Sequence, residues 1–100
     1  MFHRTLISTI ALVFTMLTAA SVVQAQEPTL EPEYTTSSKR VTDDIAIAVA
    51  VMVQSVGYKC DSISALNPMI FSLGYTLYCN YFRYGYEIED KGGQWIVTVQ

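Results

Sequence analysis

The sequence predicts an α+β domain: one N-terminal helix packed on a three- or four-stranded antiparallel meander, stapled by one disulfide. Three observations carry this. A capped apolar segment spans 42–57, apolar residues alternate along 71–99, and two cysteines stand with 18 residues between them and none left over.

Thr42-Asp43-Asp44 opens the helix, with a hydroxyl cap and two acids at the positive end of the helix dipole. Gly57 is its natural stop. Between them the β-branched residues Ile45, Ile47, Val49, Val51 and Val53 repeat every second position, a strand signal. Ala46, Ala48 and Ala50 fill the alternate positions and favour a helix, as do the caps at both ends. The expected helix is apolar nearly all round, with Ile45, Val49, Met52 and Val56 on one side and Ile47 and Val51 on another. Such a helix lies deep in a fold or at a partner interface.

Residues 59–66 read as a first short strand, ended by the turn signal Asn67-Pro68. Phe71, Leu73, Tyr75, Leu77 and Cys79 then alternate with small or polar residues, giving a half-buried strand with its odd positions inward. After Cys79 the parity flips, and Phe82, Tyr84, Tyr86 and Ile88 become the apolar set. Two hairpin loops reproduce the flip: a two-residue loop, Asn80-Tyr81, or a four-residue loop from Asn80 to Arg83. A last turn at Asp90-Lys91-Gly92-Gly93 leads to Trp95, Val97 and Val99, with Ile88 expected opposite Trp95 and Tyr86 opposite Val97. This parity divides the tyrosines of LYCNYFRYGYEIED (77–90). Tyr75, Tyr84 and Tyr86 are assigned to the core, and Tyr78 and Tyr81 to the other face.

The chain opens with Arg4, an uncharged apolar run at 6–20, and Val23-Gln24-Ala25 as a cleavage site. This is the pattern of a secretory signal peptide, residues 1–25. The run is shorter than the roughly 20 residues a spanning helix needs, and no lipobox cysteine follows. A soluble periplasmic or secreted product with no membrane anchor after cleavage is expected. That product has five basic and nine acidic residues, a net charge of −4, and no basic cluster, which disfavours nucleic acid. Residues 26–40, with two prolines, three glutamates and a Thr/Ser run, read as a disordered linker. Residues 41–100 form the domain, small enough to need a covalent staple. In an exported chain Cys60 and Cys79 are expected to supply it as a disulfide, since redox pairs stand closer together. Pairing Cys60 directly with Cys79 would turn Ser62 and Ser64 inward and Ile63 outward, so an irregularity near Cys60 is expected.

The segments SVGYKC, YTLYCN and YEIEDKGGQWIVTV together resemble the helix-plus-meander unit of PepSY-like exported domains, and also small exported bacterial proteins with a cysteine on each of the first two strands. The resemblance implies an extracytoplasmic binding or inhibitory module rather than a catalyst.

The chemistry is sparse. His3, in the leader, is the only histidine, so the mature chain offers no histidine triad and few routes to zinc. Phosphate loops, nucleophile elbows and metal-ligand cysteine sets do not occur, and no cofactor or enzymatic role is expected. Glu87 and Glu89, two apart on one strand face, could suggest paired glycosidase carboxylates, but read as a solvated strand face. The favoured function is a protein- or peptide-binding module for an envelope partner, anchored by Tyr78, Tyr81 and Arg83, residue types enriched at hot spots. The alternative is a structural envelope protein that forms a homodimer through its apolar helix.

Overall fold

The computed structural model describes residues 26–100; the signal-peptide assignment to 1–25 lies outside the described residues. Elements run β1 (Thr29–Thr35), α1 (Asp43–Ser55), β2 (Ser62–Pro68), β3 (Gly74–Cys79), β4 (Tyr84–Lys91) and β5 (Gln94–Val99). They form an α+β fold with one helix and a single five-stranded sheet in chain order. β1 pairs parallel with β2, and the remaining pairs are antiparallel.

Two expectations are corrected by β1. Residues 26–40 are not simply a linker, and the sheet is mixed rather than an antiparallel meander of three or four strands. β1 is parallel because the chain returns to the sheet through α1, the crossover that parallel strands require. Its composition hid it. Only Leu30 and Tyr34 reach the core, and the exposed Pro32 and Glu33 suit a sheet edge.

The ends of α1 form as expected. The Thr42 hydroxyl accepts from the Ile45 N–H at 3.3 Å. At the other end Tyr58 N–H donates to the Val53 carbonyl and Gly57 N–H to that of Gln54, with Gly57 at φ 96°. These bonds satisfy carbonyls that the helix itself leaves free. The buried stripe differs from expectation: it is Ala46, Val49, Ala50 and Val53, at spacing i, i+3, i+4, i+7. Alanines on that stripe let the helix backbone approach the sheet, while Ile45 and Ile47 flank it and Val51 is exposed.

Against α1 lie Ile63, Leu66, Leu77, Cys79, Tyr86 and Ile88. Ile63 and Leu66 are three apart, yet both reach the core, because β2 carries a bulge. Ile63 pairs with Cys79 and Ala65 with Tyr78, leaving Ser64 as the extra residue. This is the irregularity expected near Cys60. Cys60 itself precedes β2 and bonds Cys79 across a Cα separation of 5.2 Å.

Between β3 and β4 the four-residue loop is the one formed, with Cys79 opposite Tyr84 and Leu77 opposite Tyr86. β3 begins only at Gly74, so Phe71 and Leu73 are exposed in the preceding loop rather than inward. A side chain at Gly74 would collide with the Ile88 carbonyl of β4. At the last turn Gly92-Gly93 alone forms the loop, both with positive φ. Ile88 therefore faces Val97, and Tyr86 faces Val99, two places on from the expected register.

Candidate functional site

The four-residue loop holds the most unusual backbone among the described residues. Asn80, Tyr81 and Phe82 have φ of 56°, 56° and 63°. Each is in the left-handed region, where a non-glycine residue loses roughly 1–2 kcal/mol. Three in succession need external support, and β1 and β2 supply it.

Support centres on Glu31, which is 8% exposed. Its Oε2 accepts from the Ser62 hydroxyl at 2.6 Å, the Ser64 hydroxyl at 2.8 Å and the Tyr81 N–H at 2.8 Å. Ser64 in turn accepts from the Phe82 N–H at 3.0 Å. Successive N–H groups of a left-handed turn form a concave anion site, and here the chain fills it with its own carboxylate. Burial by itself would raise the Glu31 pKa. The bonds from Ser62, the Tyr81 N–H and Ser64 outweigh it, holding the carboxyl below its ordinary range.

Asn80 ties the start of the loop to the entry of β2. Its Oδ1 accepts from the N–H groups of Asp61 and Ser62 at 2.9 and 3.1 Å, and its own N–H donates to the Ser62 carbonyl at 2.9 Å. Asparagine bears positive φ better than most residues, because its short side chain bonds locally. The loop closes with Arg83 N–H donating to the Asn80 carbonyl. The Cys60–Cys79 bond adjoins the same corner, so the loop is anchored by covalent and polar links together.

This frame presents side chains outward. Tyr81 is 70% and Phe82 59% exposed, and Arg83 is exposed as well. With Glu31, Pro32 and Glu33 of β1, Tyr81 and Phe82 line an open cleft of ≈ 490 Å³. Tyr78 stands on the sheet face away from α1. Its ring meets Phe82 at 5.6 Å between centroids and lies over Gly85 on β4, where a Cβ would be in tight contact with the ring at 3.3 Å. Of the expected anchors, Tyr81 and Arg83 are displayed by the loop. Tyr78 is half-buried and supports Phe82.

Two tyrosines assigned to the core separate. Tyr86 is buried and its hydroxyl donates to the Lys59 carbonyl at 2.7 Å, while burial pushes its pKa up. Tyr84 is 39% exposed and is corrected to the surface: it sits at the start of β4, opposite Cys79. Glu87 is exposed, and Glu89 lies 3.8 Å from the Lys91 ammonium. Among the described residues no group of three or more His, Cys, Asp or Glu side chains converges on a metal-sized site.

Sequence reasoning missed Glu31, Ser62, Ser64 and Phe82. The only trace of them was the awkward parity of the two serines. Comparison of the chain with protein families, curated proteins and solved structures finds no match.

Proposed function

We propose that the chain is a non-catalytic, extracytoplasmic module that docks a peptide segment of an envelope protein on the loop 80–83. One observation carries the reading: three non-glycine residues are held left-handed, and two of them turn large aromatic rings to solvent. Glycine would make this turn without strain, and the exposed rings bring little to the core. Strain of this kind is characteristic of ligand clamps. Tyr81 and Phe82 would supply aromatic contact area. Arg83 would bond carbonyl or carboxylate groups, and Glu33 with the ring faces suits a lysine or arginine of the ligand.

A disulfide in so small a domain is consistent with an oxidising compartment. No helix among the described residues is long and apolar enough to cross a membrane. The resemblance to PepSY-like exported domains points the same way, to a binding or inhibitory module outside the cytoplasm. The test is cross-linked capture from the native envelope, comparing the wild-type chain with Tyr81→Gly and Arg83→Ala. A specific partner should be retained by the wild type and lost by both variants. Equal capture by all three would refute the assignment.

A further inference from the structure

The two edges of the sheet are unlike. At the β1 edge the strand carries Pro32 and Glu33, and its register with β2 shifts between Leu30 and Thr35. Prolines, charges and bulges are the devices by which proteins keep an edge from pairing with another chain. β5 has none of them. Gln94–Val99 reads QWIVTV, without charge, proline or glycine, and its register with β4 is unbroken.

The backbone of β5 has a defined polarity. Lys91 and Gln94 close the two-residue turn, and Gln100 N–H donates to the Gly85 carbonyl at 3.0 Å. Even-numbered residues therefore direct their N–H and C=O groups to β4, and Trp95, Val97 and Val99 direct theirs to the open edge. The same three residues place their side chains on the α1 side of the sheet, where Val97 touches the core. The cover ends there: Trp95 is 44% and Val99 52% exposed. An open ladder and an open apolar strip coincide on one strand.

We infer that β5 is a homodimer interface, pairing antiparallel with β5 of a second copy about a two-fold axis at Val97. This inference is independent of the loop 80–83. In that register Trp95 faces Val99 of the second copy, Val97 faces itself, and every outward N–H and C=O of the three residues is paired. Registers centred elsewhere leave some of these groups without partners. On the opposite side Ile96 meets Thr98 and Gln94 meets Gln100, so no like charges oppose. The strip Trp95, Val97, Val99 becomes continuous across the axis, and cross-strand aromatic–aliphatic pairs of this kind stabilise a sheet. A second copy is the occupant because the strand complements itself at every position.

The test uses the protein expressed with its own leader and purified, followed by sedimentation equilibrium and light scattering over a concentration series. A reversible dimer is expected. Val99→Pro removes an N–H that has no partner among the described residues, so the melting curve of the isolated domain should hold while the dimer is lost. Val97→Cys should cross-link to itself on mild oxidation, because hydrogen-bonded pairs place Cα atoms about 5.5 Å apart, and Val99→Cys should not. A chain that stays monomeric at millimolar concentration overturns the proposal. A dimer that survives Val99→Pro also overturns it and moves the contact to another surface such as α1. Cross-linking through Val99→Cys in place of Val97→Cys overturns the register.

Discussion

Replacing Glu31 by alanine tests whether a buried carboxylate holds the left-handed loop. Gross interaction energy is large, since each hydrogen bond to a charged acceptor contributes about 1.5–3 kcal/mol and Oε2 accepts three. Burying the carboxylate costs several kcal/mol in return, so the pairings cannot simply be summed. What the alanine variant loses is better judged from the donors left behind. The Tyr81 N–H is fixed by the backbone and loses its partner, at about 1–3 kcal/mol. The two serine hydroxyls can rotate toward water and lose less. A total near 3 kcal/mol is expected, which in a domain of this size lowers Tm by about 12–24 °C. Urea and thermal unfolding of wild type, Glu31→Ala and Glu31→Gln measure it, with glutamine intermediate because one acceptor remains. A loss below about 1 kcal/mol in the alanine variant would refute the reasoning, and the loop would then hold its shape without β1.

Other outcomes follow from the same geometry. The Glu31 carboxyl has a folded pKa below its ordinary value of 4.5. Its contribution is therefore complete above that pH and lost as pH falls through the folded value; acid melts of wild type should fall away more steeply than those of Glu31→Gln. Tyr81→Gly relieves roughly 1–2 kcal/mol of left-handed strain against about 0.5–1 kcal/mol of added chain entropy. Its unfolding free energy should be unchanged or slightly raised, even as partner capture fails. Tyr86→Ala should cost about 3 kcal/mol or more in urea melts, and Tyr84→Ala, at the surface, less than about 1 kcal/mol. Serine at both Cys60 and Cys79 should remove about 3 kcal/mol, the loop-closure contribution of a bridge this long, and thiol reagents should label the native chain only after reduction.

Local chemistry made much of the fold legible. Thr42 and Gly57 mark the helix ends because capping depends on residues in immediate sequence contact, and the caps outweighed the period-two signal of 45–53. The inward set Tyr75, Leu77, Cys79, Tyr86, Ile88 and Val97 followed from strand parity, which any even loop preserves. Parity did not reveal where the strands begin, so Phe71, Leu73 and Tyr84 are exposed rather than inward, nor the two-place slip at the last turn, since parity alone does not count loop residues. The disulfide was legible from two cysteines in a chain with a leader-like start.

β1 was not legible. A parallel edge strand is defined by the neighbour it joins after a long crossover, and nothing local to TLEPEYT announces that neighbour. Glu31 was hidden for the same reason: its burial depends on Ser62, Ser64 and Tyr81, which lie 31, 33 and 50 residues away. The bulge at Ser64 and the left-handed conformation of Tyr81 and Phe82 arise only once those segments meet. Nor does the aromatic run 77–90 reveal which rings are displayed; Tyr84 exchanged its expected place because α1 covers Tyr86 and leaves the start of β4 open. The sequence alone determined the helix with its caps, the strand faces and the staple, because short-range sterics and periodic burial decide them. Tertiary structure decided β1, the strained loop and the carboxylate beneath it, because each exists only through contacts between segments distant along the chain.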